Sequence, residues 1–211
     1  MTNDQIYHLP IWKTFVTHYH LNDIQQAQFI QYLALLVEYS QLFNLTTITD
    51  PADIIAYHFI DSVVVSKFFD FNTIAMFADV GTGAGFPGIP LKILFPHLQC
   101  ILLEVTKKKI EFLELVAGRL SLDKCSVRDI DWRTFLRKTD EPVDLFVARA
   151  SLHPDELLRM FKPSSPYKTK TLIYWASQEW QPLAKQKPFI YREEGYTVKD
   201  KRRRLIFFAQ R

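Results

Sequence analysis

A chain of 211 residues with 48% hydrophobic and 23% charged residues has ordinary globular composition, which excludes wholesale disorder and suits one α/β domain with a small extension. No stretch reaches the roughly 18 apolar residues of a membrane span, and residues 1–10 lack the basic-then-apolar pattern of a secretion signal, so a cytoplasmic protein with no membrane partner is expected. The net charge of +3 conceals an asymmetry: residues 1–50 carry a net −3, whereas residues 160–211 hold twelve basic against four acidic side chains, which suits either a polyanionic partner such as nucleic acid or a solvated, lysine-rich edge.

From residue 24 to about 43, Ile30, Leu33, Leu36 and Val37 keep the three-and-four spacing of an amphipathic helix, with Asn22 or Asp23 as its N-cap. A second helix is expected after Asp50-Pro51, where the fixed φ of proline suits a first turn, running through His58 and Asp61 to about Phe69. Residues 1–70 therefore read as a helical extension packed on the core, and residues 71–211 as the main domain. There, short apolar runs alternate with helical stretches. Strands are expected at 76–80, 100–103, 125–127, 143–148 and 171–175, with helices at 87–94, 107–120 and 154–161. Residues 191–198 and 204–209 read as a closing antiparallel pair. Such alternation predicts an α/β fold: a mostly parallel, doubly wound, Rossmann-like sheet with an antiparallel C-terminal edge. Cys100 and Cys125 sit in strand-like runs with no CxxC spacing and no clustered histidines, so they are expected as reduced, packed thiols and no metal site is expected.

The densest chemical signal is Asp79-Val80-Gly81-Thr82-Gly83-Ala84-Gly85, at the end of the first buried strand. Ligands of open α/β sheets bind beyond the carboxyl ends of the strands, and glycines there let the backbone turn and approach a ligand. A dinucleotide loop has a third glycine where this chain has Phe86, and Pro87 removes an N–H from the phosphate-facing turn. S-adenosylmethionine carries no phosphate, so these residues favour it as cofactor, with Asp79 near its ammonium directly or through water. Glu104 ends the next apolar run, about 20 residues on, where a carboxylate accepts from both ribose hydroxyls or is a simple surface acid. Asp131-Trp132 follows the third strand; either it meets the adenine, by carboxylate and ring, or it is an exposed acid beside a half-buried indole.

Together these residues resemble the RsmG family, also called glucose-inhibited division protein B, bacterial methyltransferases of 16S ribosomal RNA that modify guanine at N7. The resemblance runs over most of the chain. It is carried by Asn44-Leu45-Thr46, His58-Phe59-Ile60-Asp61-Ser62, the run DVGTGAGFPGIP from Asp79 to Pro90, Leu102-Leu103-Glu104 with the segment 107–113, and Val147-Ala148-Arg149-Ala150. The resemblance implies a class I methyltransferase fold and S-adenosyl-L-methionine as cofactor, held by Gly81, Phe86, Glu104, Asp131, Trp132 and Arg149, beside the Asp79, Gly83 and Gly85 of the loop read above. It places Asn44, His58, Asp61 and Arg149 near the substrate opening, with 16S ribosomal RNA or the small-subunit particle as partner of a monomer. The chain departs from the family pattern at Glu104, where aspartate is usual, at Ala148, where serine is usual, and at Tyr174-Trp175-Ala176-Ser177, which stands in place of a Lys-Gly strand end.

Guanine N7 has an in-plane lone pair and no proton, so attack on a sulfonium methyl needs positioning rather than a general base. No catalytic group is therefore expected. Ser151, His153 and Asp155 read as cap and surface groups at a helix start, and His8, His18 and His20 are too scattered for a metal site. Lys107-Lys108-Lys109 and Lys201-Arg202-Arg203-Arg204 either touch RNA phosphates or are solvated. The rival functions are methyl transfer to another substrate, and RNA binding or regulation without catalysis.

Overall fold

The sheet of the computed structural model, which describes residues 3–210, has seven strands: β1 (Met76–Val80), β2 (Gln99–Glu104), β3 (Cys125–Asp129), β4 (Leu145–Arg149), β5 (Thr171–Ser177), β6 (Ile190–Val198) and β7 (Lys201–Phe208). The first two positions of the predicted extension and the last of the main domain lie outside the described residues. The strands lie in the order β3-β2-β1-β4-β5-β7-β6. The first five are parallel, and β7 runs antiparallel to both β5 and β6. This is the predicted doubly wound sheet with an antiparallel edge. Cys100 and Cys125 are register partners on β2 and β3 and are both free thiols.

Period-two alternation divides the core. Met76, Ala78 and Val80 of β1 face one layer, with Trp132, Phe135 and Leu157; Phe77 faces the other, with Leu91, Phe112 and the N-terminal helices. Those helices are α1 (Asn3–Tyr7), α2 (Pro10–Tyr19), α3 (Asp23–Phe43), α4 (Pro51–Ile54) and α5 (Asp61–Val63). They share one buried cluster with the sheet, through Trp12, Phe15, Phe29 and Phe59. On the same face lie α6 (Gly88–Leu94) and α7 (Lys107–Arg119), and on the other α8 (Trp132–Lys138) and α9 (Pro154–Leu157).

Local chemistry sets the element ends. Asn22 and Gln25 form a reciprocal capping box on α3, and Asn44 ends the helix in the left-handed region at φ 52°. Asp50 caps α4 by accepting the Asp53 N–H. The predicted helix after Asp50 forms, but it widens into a π turn at Ile55–Ile60 before α5 and closes with a 3-10 turn at Val64–Lys67. Such widening is common where a helix carries a site, and this turn contains His58. The fourth strand starts at Leu145 rather than 143, because the Asp144 carboxylate turns back to accept the N–H groups of Ala75 and Met76. The predicted helix at 154–161 is α9 followed by a 3-10 turn, Leu158–Phe161. Helix α8 is not among the predicted elements. Its apolar residues are few, but Asp131 caps it and Trp132, Phe135 and Leu136 are buried.

Candidate functional site

In this order of strands the connections from β1 and from β4 leave on opposite faces of the sheet, so a crevice opens between their carboxyl ends. A cavity of about 380 Å³ occupies it. Its floor is the glycine loop: Gly81, Thr82, Gly83, Ala84 and Phe86. One wall is the end of β4, Arg149 to Leu152; the other carries Glu104, Val105 and Lys109. Leu45, Thr46 and His58 come from the N-terminal helical segment.

Loop and walls are in close contact. Gly81 has φ +66°, and a Cβ built there would stand 2.6 Å from the Ser151 Cβ. Only a hydrogen fits between the Gly81 backbone and the Ser151 side chain. The Tyr32 hydroxyl of α3 donates to the Ala84 carbonyl at 2.6 Å, so the helical extension holds the loop from beneath. At Gly85, φ +105°, a Cβ would meet that hydroxyl at 2.6 Å. The Phe86–Pro87 peptide is cis.

Asp79 builds the loop and does not line the cavity. It is 0% exposed; its Oδ2 accepts the Gly88 N–H at 2.7 Å and the Thr82 hydroxyl at 2.6 Å, while Oδ1 is buried without a partner. Burial pushes its carboxyl up to about 7, against the pull of those two donors. Glu104 does line the cavity. Its Oε2 accepts the Gly83 N–H at 3.0 Å, and Oε1 accepts from the N–H groups of Val105 and Thr106. A carboxylate has about four lone-pair sites, so Glu104 ties β2 to the glycine loop and keeps capacity for a hydroxyl.

A buried network joins the cavity to the rest of the fold. The Arg149 guanidinium, lying 5.0 Å from the Phe86 ring centre, donates to Asp61 Oδ2 at 2.8 Å and to the Tyr57 carbonyl at 3.0 Å. Asp61 is 0% exposed. Its Oδ1 accepts the Tyr196 hydroxyl at 2.8 Å and faces the Arg203 Nε at 3.3 Å. Its carbonyl accepts the Trp175 indole N–H at 2.7 Å. A buried carboxylate between two guanidiniums and a phenol is compensated as such a charge must be. Arg149 also faces His58 Nδ1 at 3.3 Å, and His58 stacks on Phe86 with ring centres 4.5 Å apart. Burial, then the charge of Arg149, pulls the His58 imidazole down to about 3, so it is neutral. An Arg can only donate, so in the tautomer in which Nδ1 accepts from Arg149 the proton sits on Nε2, 2.9 Å from the Thr46 Oγ1. Thr46 Oγ1 already accepts the Ile48 N–H at 3.1 Å. In that tautomer two donors aim at the oxygen, and its own proton is left to donate.

The structure thus brings Gly81, Gly83, Phe86, Glu104, His58 and Arg149 to one cavity, with Asp61 directly behind Arg149. It does not bring Asn44, Gly85, Asp131 or Trp132 to that lining. Asn44 is exposed and spent on the left-handed end of α3, and Gly85 is pressed against Ile89. Asp131 gives both carboxylate oxygens to Thr134 as the cap of α8. Trp132 is 4% exposed, packs on Phe135 and Phe146, and donates its indole N–H to the Glu156 carbonyl. Sequence reading missed Leu152 and Tyr196 as parts of the site; it took Ser151 for a cap or surface group, whereas Ser151 lines the cavity, and Arg203 for an RNA or solvent contact, whereas its Nε faces Asp61. For Thr46 and Lys109 a signal existed, in the Asn-Leu-Thr run and the lysine triplet.

A family model described as GidB, rRNA small subunit methyltransferase G, matches residues 25–203. The ribosomal RNA small subunit methyltransferase G of Macrococcus caseolyticus is 41% identical over 133 residues, covering 63% of this chain and 56% of that protein. The protein of the same description from Staphylococcus aureus strain Newman is 43% identical over 131 residues, covering 62% and 55%. The chain spans about half the length of these curated relatives. Among solved structures, M. capricolum TrmK in complex with S-adenosyl-homocysteine superposes with a TM-score of 0.54 at 14% identity, over 71% of this chain and 67% of that one. A SAM dependent methyltransferase from Aquifex aeolicus superposes with 0.53 at 15% identity, over 79% and 97%. These likenesses show the fold, that of class I S-adenosylmethionine methyltransferases with additional N-terminal helices.

Proposed function

The chain belongs to the rRNA small subunit methyltransferase G family, and from that membership and the cavity we propose that it transfers a methyl group from S-adenosyl-L-methionine to N7 of a guanine in 16S ribosomal RNA. The observation that carries this reading is the meeting of Gly81, Glu104, His58 and Arg149 at one crevice between β1 and β4. The residues fit the cofactor. The loop offers backbone with no Cβ at Gly81 and Gly83, Glu104 offers its remaining acceptor capacity to a ribose hydroxyl, and Arg149 and Lys109 offer cations to a carboxylate. When bound, S-adenosylmethionine supplies an electrophilic methyl on a sulfonium.

The chain's own residues position the acceptor. Arg149 is fixed by Asp61 and the Tyr57 carbonyl; burial, and then the charge of Arg149, keep His58 neutral, and Arg149 faces its Nδ1 as a donor. His58 in turn directs Thr46 to donate. A hydroxyl donor suits guanine, whose O6 acceptor lies beside N7: O6 takes the hydrogen bond and N7 keeps its lone pair for the methyl. No residue is asked to remove a proton, because N7 has none. Orientation is then the main lever on rate.

Labelled methyl transfer to unmodified 16S RNA and to small-subunit particles, followed by mapping of the base, tests the reading. Label on a single guanine at N7 is the expected result. Cofactor binding by calorimetry without transfer to either RNA substrate would overturn it.

A further inference from the structure

A second cavity, of about 510 Å³, lies between α8, the 3-10 turn after α9 and the loop 162–166. Four cationic side chains line it, Arg133, Arg137, Arg159 and Lys162, with the hydroxyls of Thr139 and Ser164, and no carboxylate does. Glu156 stands behind it. Its Oε2 accepts from the Nε of Arg133 at 2.7 Å and of Arg159 at 2.8 Å, and the two guanidiniums hold its carboxyl down at about 2. One anion thus fixes two guanidiniums through Nε and leaves their terminal nitrogens directed elsewhere. Arg137 uses its Nε on the Arg133 carbonyl at 3.2 Å, and Lys162 makes no ion pair among the described residues. Four cations stand against two carboxylates, Glu156 and the Asp131 cap of α8, whose charge also acts on Arg133 and Arg137; the excess positive charge in a concave wall attracts an anion.

Its place in the fold says which anion. Arg133 lies in the first turn of α8, directly after the carboxyl end of β3, the sheet edge that holds the glycine loop. The β4 loop joins the two cavities: Ala150, Ser151 and Leu152 line the first, and His153 then caps α9, which carries Glu156. A polymeric anion that presents one base to the first cavity can reach Arg133, next to the carboxyl end of β3, with its flanking backbone and follow α8 to Arg137. We propose that this groove docks phosphodiesters of the RNA substrate, with Arg137 and Lys162 binding phosphate oxygens and Arg133 and Arg159 held ready by Glu156. The proposal rests on RNA being the substrate, as read above.

The test uses the full chain and the double variant Arg137→Glu/Lys162→Glu, which leaves the Glu156 pairs in place. Binding of an unmodified 16S RNA transcript is followed between 50 and 200 mM salt. Removing one phosphate-binding cation reduces the slope of log K against log salt by about 0.7 to 0.9. The variant is expected to show a slope shallower by about 1.5 for its two substituted cations, with affinity at low salt down at least tenfold. KM for RNA rises while kcat at saturating RNA and the affinity for S-adenosylmethionine hold. Equal slope and affinity in variant and parent overturn the proposal, and so does a parent that does not bind the RNA. Should the charge reversal lower the melting temperature, Arg137→Gln/Lys162→Gln is read by the same slope. A parent that binds RNA through the groove yet transfers no methyl to it sinks the activity proposed above and leaves the groove standing.

Discussion

Gly81→Ala and Gly83→Ala form a matched pair that measures how closely the glycine loop and the β4 loop approach. The two glycines have nearly the same φ, +66° and +63°, so an alanine at either meets the same left-handed strain of about 1–2 kcal/mol. The smaller entropy that alanine leaves the unfolded chain is common to both. Their surroundings differ. A Cβ at Gly83 has nothing within 4 Å, whereas at Gly81 it stands 2.6 Å from the Ser151 Cβ. Carbon atoms rest at about 3.5–4.0 Å, so the β4 loop has to yield by about 1 Å. Overpacking of this kind costs about 1–3 kcal/mol. Gly83→Ala is therefore expected to lose about 1–2 kcal/mol, and Gly81→Ala about 2–5. Urea unfolding, read as a shift in midpoint at constant m, measures both. Ser151→Gly should restore about 1–3 kcal/mol to Gly81→Ala and nothing to Gly83→Ala. Equal losses at the two positions, or no rescue by Ser151→Gly, would refute the close approach.

Asp61→Ala strands the Arg149 guanidinium beside Phe86 and takes an acceptor from Tyr196. Breaking a buried pair in this way costs about 3–5 kcal/mol, to be read by urea unfolding, and Asp61→Asn should lose less. Thr46→Val removes the hydroxyl donor while keeping the shape of the side chain. With about 1–3 kcal/mol for a partner left unpaired, kcat/KM for RNA should fall roughly 5- to 150-fold with cofactor affinity unchanged. Asp79 is raised from 3.8 to about 7 in the folded protein, so there it keeps a proton that the unfolded chain releases, and its contribution lowers stability as pH rises from about 4 to about 7. His58 is lowered from 6.5 to about 3, so it refuses a proton the unfolded chain takes, and its contribution raises stability over about pH 3 to 6.5. The two oppose each other. Asp79→Asn should unmask the rise, giving a variant whose melting temperature climbs more steeply with pH than that of the parent; parallel curves would show that Asp79 is not held protonated.

Much of the fold was legible because buried parallel strands read as apolar runs, and β1 ends at a glycine cluster that nothing but a tight turn explains. For the same reason the residues adjacent to those strand ends, Gly81, Glu104 and Arg149, were readable as site residues. The difficulty began where one residue type serves two local purposes. An acid after a strand looks alike whether it meets a ligand or caps a helix; Glu104 lines the cavity, and Asp131 caps α8. Asn44 shows the same ambiguity, since a left-handed helix end also favours asparagine. The Asp61 network was illegible for a different reason. Trp175 and Tyr196 lie 114 and 135 residues from Asp61 in the chain. They reach it because the helical segment that carries Asp61 meets β5, β7 and β6 together, a placement that local spacing does not encode. Nor does periodicity announce a π turn, which shifts His58 off the regular helical face.

That network also sets a timetable for synthesis. Asp61 emerges from the ribosome early, Arg149 later, and Tyr196 and Arg203 near the end of the described chain. A nascent chain extended only through β5 can pair Asp61 with Arg149 and Trp175, yet the hairpin of β6 and β7 that encloses the carboxylate is still missing. The Asp61 carboxylate is therefore fully enclosed only once the last strands arrive.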